Sequence, residues 1–277
     1  MARIPLLAGN WKMHKTIPEA LALVEGLKSR LSGPSLLGGE VAVCPPATAL
    51  AAVKQALEGS GIALGAQDVF WEKDCGAFTG QISPAMLAQI GCQYVIIGHS
   101  ERRGRFGKDP GYGEGLLRHF GDTDESVKQK AKAALAVGLT PIICVGETLA
   151  EREAGGTERV VEGQVNRALQ DLTADQVSGL VIAYEPVWAI GTGQTCDPDE
   201  ANRVIALIRR TAAGSHGSEA AVKLRVQYGG SVTEENSAEI MAQPEIDGAL
   251  VGGASLEAER FARLVLAGAK AASNRAG

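Results

Sequence analysis

A carboxylate, an imidazole and an ammonium stand at Glu185, His99 and Lys12, far apart along the chain but each just beyond a short apolar run. Glu185 closes the run Gly179-Leu-Val-Ile-Ala-Tyr184, and Pro186 then ends the strand because it has no N–H to donate. Val187, Trp188, Ala189 and Ile190 are too apolar for an ordinary solvated loop, and Thr192 lies between Gly191 and Gly193, which permit the backbone angles of a moving segment. A base and a cover for it therefore come as one unit, Glu185 followed by a flap over residues 186–193. Each residue also has a plain alternative: Glu185 as a strand cap, Lys12 as an exposed lysine, His99 as a hydrogen-bonded core histidine.

Whether they meet depends on the elements between them. Apolar runs recur at residues 4–8, 41–44, 63–66, 94–97, 140–145, 180–184, 224–228 and 248–251, eight strand candidates in all. Helical patterns alternate with them at 18–31, 48–57, 84–90, 124–137, 158–172, 199–212, 234–241 and 256–266. Strict alternation predicts a parallel sheet. An open doubly wound sheet shows the same order, but no G-x-G-x-x-G follows the first strand, and eight units can close a ring. The expectation is an α/β fold: a single eightfold parallel β/α barrel spanning 1–277 as one domain, with a Gly-rich tract inserted at about 104–118.

In such a barrel the strand carboxyl ends share one face. The first strand ends in Asn10-Trp-Lys12, the fourth in His99-Ser-Glu101, the sixth in Glu185, the seventh in Tyr228-Gly-Gly-Ser231 and the eighth in Val251-Gly-Gly253. The two glycine turns can offer backbone N–H groups to an anion, although tight turns that spare a side chain read the same way. One carboxylate, one imidazole, one lysine and an anion cradle suit proton abstraction next to a carbonyl. Glu185 would be the base, His99 and Asn10 would polarise the oxygens, and Lys12 would offset the charge that develops. Each oriented donor contributes about 3 kcal/mol, and a placed base roughly 100-fold in rate. No H-E-x-x-H, acidic metal cluster or nucleotide motif is present, so neither metal nor cofactor is expected.

A net charge of -5 and 4% aromatic residues argue against nucleic-acid or membrane partners. The 5 cysteines are odd in number with no C-x-x-C spacing, so no disulfide framework is expected. The amino terminus does not resemble a signal peptide, and a cytoplasmic location follows as the default.

At these residues the chain resembles triosephosphate isomerases. The segments that carry the resemblance are Gly9-Asn-Trp-Lys-Met13, Gly76-Ala-Phe-Thr-Gly80, Gly98-His-Ser-Glu-Arg-Arg103, Cys144-Val-Gly-Glu-Thr148, Ala183 to Gly193, Tyr228-Gly-Gly-Ser231 and Val251-Gly-Gly-Ala-Ser255. The resemblance implies a TIM barrel that interconverts dihydroxyacetone phosphate and glyceraldehyde 3-phosphate, in glycolysis and gluconeogenesis, with no cofactor. It implies Glu185 as base, His99 as neutral electrophile, and Asn10 and Lys12 as electrostatic partners, with Glu101 orienting Lys12. Gly191, Ser231, Gly252 and Gly253 would hold phosphate, while Ile190 and Leu250 press on the base. It further implies a homodimer in which a loop around 70–80 enters the partner, Thr79 bracing the neighbouring Asn10 or Lys12. The chain departs from the family pattern at Gln81, where Glu is usual, at Gln194-Thr-Cys196, where Lys-x-Ala is common, and in the 104–118 tract, which is expected to add or reshape subunit contacts. A four-carbon ketose phosphate as substrate, or a barrel that binds phosphate ligands without turnover, are the alternatives.

Overall fold

The computed structural model describes residues 3–31, 38–72, 74–117 and 119–276. Eight parallel strands form a closed barrel in sequence order: β1 (Leu6–Asn10), β2 (Glu40–Cys44), β3 (Ala63–Ala66), β4 (Tyr94–Ile97), β5 (Thr140–Val145), β6 (Val181–Tyr184), β7 (Arg225–Tyr228) and β8 (Gly248–Val251). β8 pairs back on β1, Leu6 opposite Gly248. Successive apolar residues of each strand face opposite sides of the barrel wall. Ala8, Ala42, Cys44, Cys144, Val181 and Ala183 belong to an inner cluster narrow enough to fill the barrel, while Leu7, Val43, Ile143, Ile182 and Tyr184 join the larger cluster beneath the helices.

The strand bounds differ from the sequence pattern mainly at β1, which starts at Leu6 rather than residue 4 and runs on to Asn10. Ile4 is 51% exposed and Pro5 has no N–H, whereas Asn10 still pairs with Cys44. The helix expected from residue 234 begins at Ser237, because Thr233 and Asn236 first form a turn in which the Thr233 N–H donates to Asn236 Oδ1 at 2.8 Å. Ser83 and Asp197 cap their helices as their positions before proline suggest, each accepting from backbone N–H groups of the first turn. Short helices at Leu149–Glu153, Ala174–Gly179 and Ser218–Lys223 add to the expected set.

Charged groups at the amino-terminal mouth of the barrel are consumed by structure. Arg225 donates to Glu40 at 2.7 Å and Tyr94 donates to the same carboxylate. Buried Asp247 accepts from Arg3 at 2.6 Å, Arg209 at 2.8 Å and the Val226 N–H at 3.0 Å. Within the 104–118 tract lies a helical turn, Glu114–Leu117, and the Phe106 ring meets Phe120 edge-on at 5.4 Å between centroids. Among the described residues, no helix is long and apolar enough to cross a membrane.

Candidate active site

At the carboxyl ends of the strands a cavity of about 510 Å³ is lined by Asn10, Lys12, His99 and Glu185, by Ile190, Gly191, Ser231 and Leu250, and by Gly252 and Gly253. Residues from five of the strand ends thus converge on one space. Glu101, reaching Lys12 from outside, completes the set.

Glu185 is 2% exposed and leaves β6 through a hydrogen bond from its own N–H to the Val145 carbonyl at 2.7 Å. Its position requires neighbours with no side chain. A Cβ on Gly146 would lie 1.7 Å from the Glu185 carbonyl oxygen, and one on Gly229 would lie 2.9 Å from Glu185 Cγ. The carboxylate is fully engaged: Oε1 lies 2.8 Å from His99 Nε2, and Oε2 accepts the Ser100 N–H at 2.9 Å. Burial pushes this carboxyl up, but His99, the Ser100 N–H and Lys12 together outweigh it and hold the group below the ordinary glutamate value. The carboxylate is therefore ionised at neutral pH, as a base must be.

His99 Nδ1 accepts the Glu101 N–H at 3.2 Å, at the start of the 3-10 turn Ser100–Arg103. That bond requires a lone pair on Nδ1, so the ring is neutral and its single proton sits on Nε2, facing Glu185 and the cavity. A neutral imidazole N–H is a donor to a substrate oxygen without carrying a competing charge.

Lys12 has φ 50°, a left-handed conformation that costs a lysine about 1 kcal/mol. Two contacts hold it there. Its N–H donates to Asn10 Oδ1 at 3.0 Å, and Gln67 Nε2 donates to its carbonyl at 2.8 Å. The ammonium meets Glu101 Oε1 at 2.6 Å. Asn10 thus shapes the lysine's backbone while its own side chain stays 95% covered in the cavity wall.

Opposite these groups lie the glycine turns. Gly253 opens the single 3-10 turn Gly253–Leu256, and a Cβ on Gly252 would sit 3.4 Å from Lys12 Cε, so the lysine packs along bare backbone. Ser231 Oγ donates to the Ala189 carbonyl at 2.8 Å. The flap itself folds as a 3-10 turn, Val187–Ala189, with φ of 68° at Gly191 and 81° at Gly193. Its anchor is Trp188, whose Nε1 donates to Glu147 Oε1 at 2.9 Å, where Tyr184 also donates at 3.1 Å. Arg152 lies over the indole, 4.6 Å from the ring centroid.

The family model described as triosephosphate isomerase matches residues 5–268. The chain is 55% identical over 95% of its length to the triosephosphate isomerase of Carboxydothermus hydrogenoformans, covering 98% of that protein. It is 52% identical over 97% of its length to that of Symbiobacterium thermophilum, again covering 98%. The triosephosphate isomerase of Moorella thermoacetica is 54% identical over 95% of this chain and 98% of its own.

The chain belongs to the triosephosphate isomerase family. Its members are intramolecular isomerases. The family segment Cys144-Val-Gly-Glu-Thr148 carries, in sequence alone, no evident task for Glu147 or Gly146. Their positions at the end of β5 are the signal: Glu147 is fully buried, holds the flap tryptophan, and is pushed up by burial despite its hydrogen bonds. Arg152 and Gly107 also touch the flap from outside the motifs.

Proposed function

We propose that this chain interconverts dihydroxyacetone phosphate and D-glyceraldehyde 3-phosphate, an isomerisation in keeping with the name triosephosphate isomerase that its relatives carry, as a step of glycolysis and gluconeogenesis. The observation that carries the reading is the buried, ionised Glu185 facing the Nε2–H of a neutral His99 in one cavity with Lys12 and the glycine turns. The carboxylate of Glu185 takes a proton from the carbon next to the substrate carbonyl, and the electron pair of the broken C–H bond moves to make an enediolate. The Nε2–H of His99 and the side chain of Asn10 hold the two oxygens, Lys12 balances their charge, and Glu101 orients Lys12. His99 gives its Nε2 proton to the former carbonyl oxygen and takes one from the neighbouring hydroxyl, and the proton on Glu185 then passes to the adjacent carbon as that hydroxyl oxygen becomes the new carbonyl. Gly191, Ser231, Gly252 and Gly253 hold the phosphate. Residues 186–193 cover the intermediate, and this family is itself a standard illustration of such lid closure.

The reaction needs both substrate oxygens gripped at once, which a cavity of this size and polarity supports for a three-carbon phosphate. A coupled assay on glyceraldehyde 3-phosphate tests it. Turnover in the wild type that collapses in Glu185→Gln is expected; no turnover in the wild type, or undiminished turnover in the variant, contradicts it.

The chain is further proposed to act as one barrel domain and as a cytoplasmic homodimer. Support comes from the exposed Met13, Trp71 and Phe78 and from a second cavity of about 340 Å³ beside the first, which shares Asn10, Lys12 and His99. The 70–80 loop of a second copy, carrying exposed Thr79, is the proposed occupant. Phe120, just beyond the 104–118 tract, lines the same cavity, which supports a role for the tract in that contact. A sedimentation mass of one chain would refute the dimer.

A further inference from the structure

The tract that follows Arg103 does more than connect. Its first residues are tied down on both sides: the Arg105 N–H donates to the Ser100 carbonyl at 2.9 Å, its guanidinium pairs with Glu151, and the Phe106 ring rests against Phe120. Gly107 is thereby held directly against the flap. A Cβ at this position would lie 2.4 Å from the Val187 carbonyl oxygen, 2.5 Å from that of Ile190 and 3.1 Å from Thr192 Cγ2. Two of these are backbone atoms, so no side-chain rotation relieves the overlap.

The flap position that Gly107 admits is a resting one. Both oxygens of Glu185 are occupied, by His99 and by the Ser100 N–H, so the base cannot receive a proton from carbon until it turns away. The Ser231 hydroxyl is spent on the Ala189 carbonyl of the flap, and a phosphate must take its place. Resting flap and bound phosphate therefore compete for the same groups.

We infer that Gly107 is a positioning residue for this reaction, a seat whose missing side chain lets the flap rest with its Ala189 carbonyl on Ser231 and so weakens phosphate binding in the free enzyme. An apparent dissociation constant is the intrinsic one divided by the competent fraction, so any residue that destabilises the resting state tightens binding. The inference rests on the isomerase reading above.

The test is titration of the wild type, Gly107→Ala and Gly113→Ala with inorganic phosphate, read by calorimetry and by the fluorescence of Trp188, alongside KM for the triose phosphate. Gly113 lies in the same tract with open space around it and serves as the control. Gly107→Ala is expected to lower the phosphate dissociation constant and KM roughly tenfold, leaving Gly113→Ala at the wild-type value. If Gly107→Ala does not fold, Arg105→Gln, which loosens the seat without adding bulk, is expected to move both constants in the same direction by about half that factor on a logarithmic scale, with Arg105→Lys restoring them. Unchanged or raised constants in the folded variant overturn the inference, since a merely damaged site binds more weakly. A wild type that binds no phosphate contradicts the isomerase reading itself, whereas normal wild-type binding with an indifferent Gly107→Ala removes only the seat.

Discussion

Shortening the proposed base by one methylene, in Glu185→Asp, separates reach from charge. The carboxylate stays ionised but withdraws by roughly 1.5 Å, one carbon–carbon bond. Gly146 and Gly229 fix the backbone and Cγ on either side, so the chain cannot advance to make up the distance. A misplacement of about 1 Å at a reacting group costs on the order of 100-fold, which is about 2.7 kcal/mol in the barrier. The groups proposed to hold phosphate, Gly191, Ser231, Gly252 and Gly253, lie elsewhere, and KM is expected to stay within about threefold. The lost methylene accounts for only about 0.8 kcal/mol of stability, a fall of roughly 2–3 °C in the unfolding midpoint, too small to explain the lost rate. Steady-state kinetics with calorimetry on the same preparation reads all three quantities. A kcat within threefold of wild type, or a loss confined to KM, refutes the assignment of Glu185 as the base.

Gly146→Ala forces a Cβ onto the Glu185 carbonyl and is expected to lower both the unfolding midpoint and kcat, the former by the equivalent of about 3 kcal/mol, as calorimetry and the coupled assay would show. Trp188→Phe removes one donor from buried Glu147 and is expected to destabilise by about 1–2 kcal/mol in denaturant titration; no change would mean the flap anchor is idle. Glu40 titrates below the ordinary value: burial pushes it up, but Tyr94 and Arg225 outweigh that. Its stabilisation is therefore present above the unfolded carboxylate value of about 4.3 and is lost as pH falls through the lower folded value. Melting curves from about pH 5 to 3 should fall more steeply for the wild type than for Glu40→Gln.

The barrel was legible because each strand is a short apolar run followed by a helical pattern, so the eight β/α units followed from periodicity, whereas the short helices at Leu149–Glu153, Ala174–Gly179 and Ser218–Lys223 did not. The convergence of Asn10, Lys12, His99 and Glu185 was legible because each lies within a few residues of the end of such a run. Lys12, His99 and Glu185 sit on one face as a consequence of parallel strands, not of any local motif. What periodicity could not convey is contact between loops. Glu147 reads as one more polar residue after β5 until Trp188 is seen donating to it, and Gly107 reads as one more glycine in a Gly-rich tract until the flap backbone is found against it. A neutral His99 was implied only by the family resemblance, since the contact behind it is the Glu101 N–H reaching Nδ1. β1 began two residues late for a local reason, the missing N–H of Pro5, that an apolar count does not register.

Transfer of a proton through Glu185 is tested most directly by running the reaction in deuterium oxide. A proton held on a carboxylate exchanges with solvent, so glyceraldehyde 3-phosphate converted by the wild type should yield dihydroxyacetone phosphate carrying deuterium on the carbon that gained the hydrogen, visible by proton NMR, with Glu185→Gln forming almost none. Rapid turnover that leaves the product free of deuterium, or equal labelling by the variant, would contradict the account.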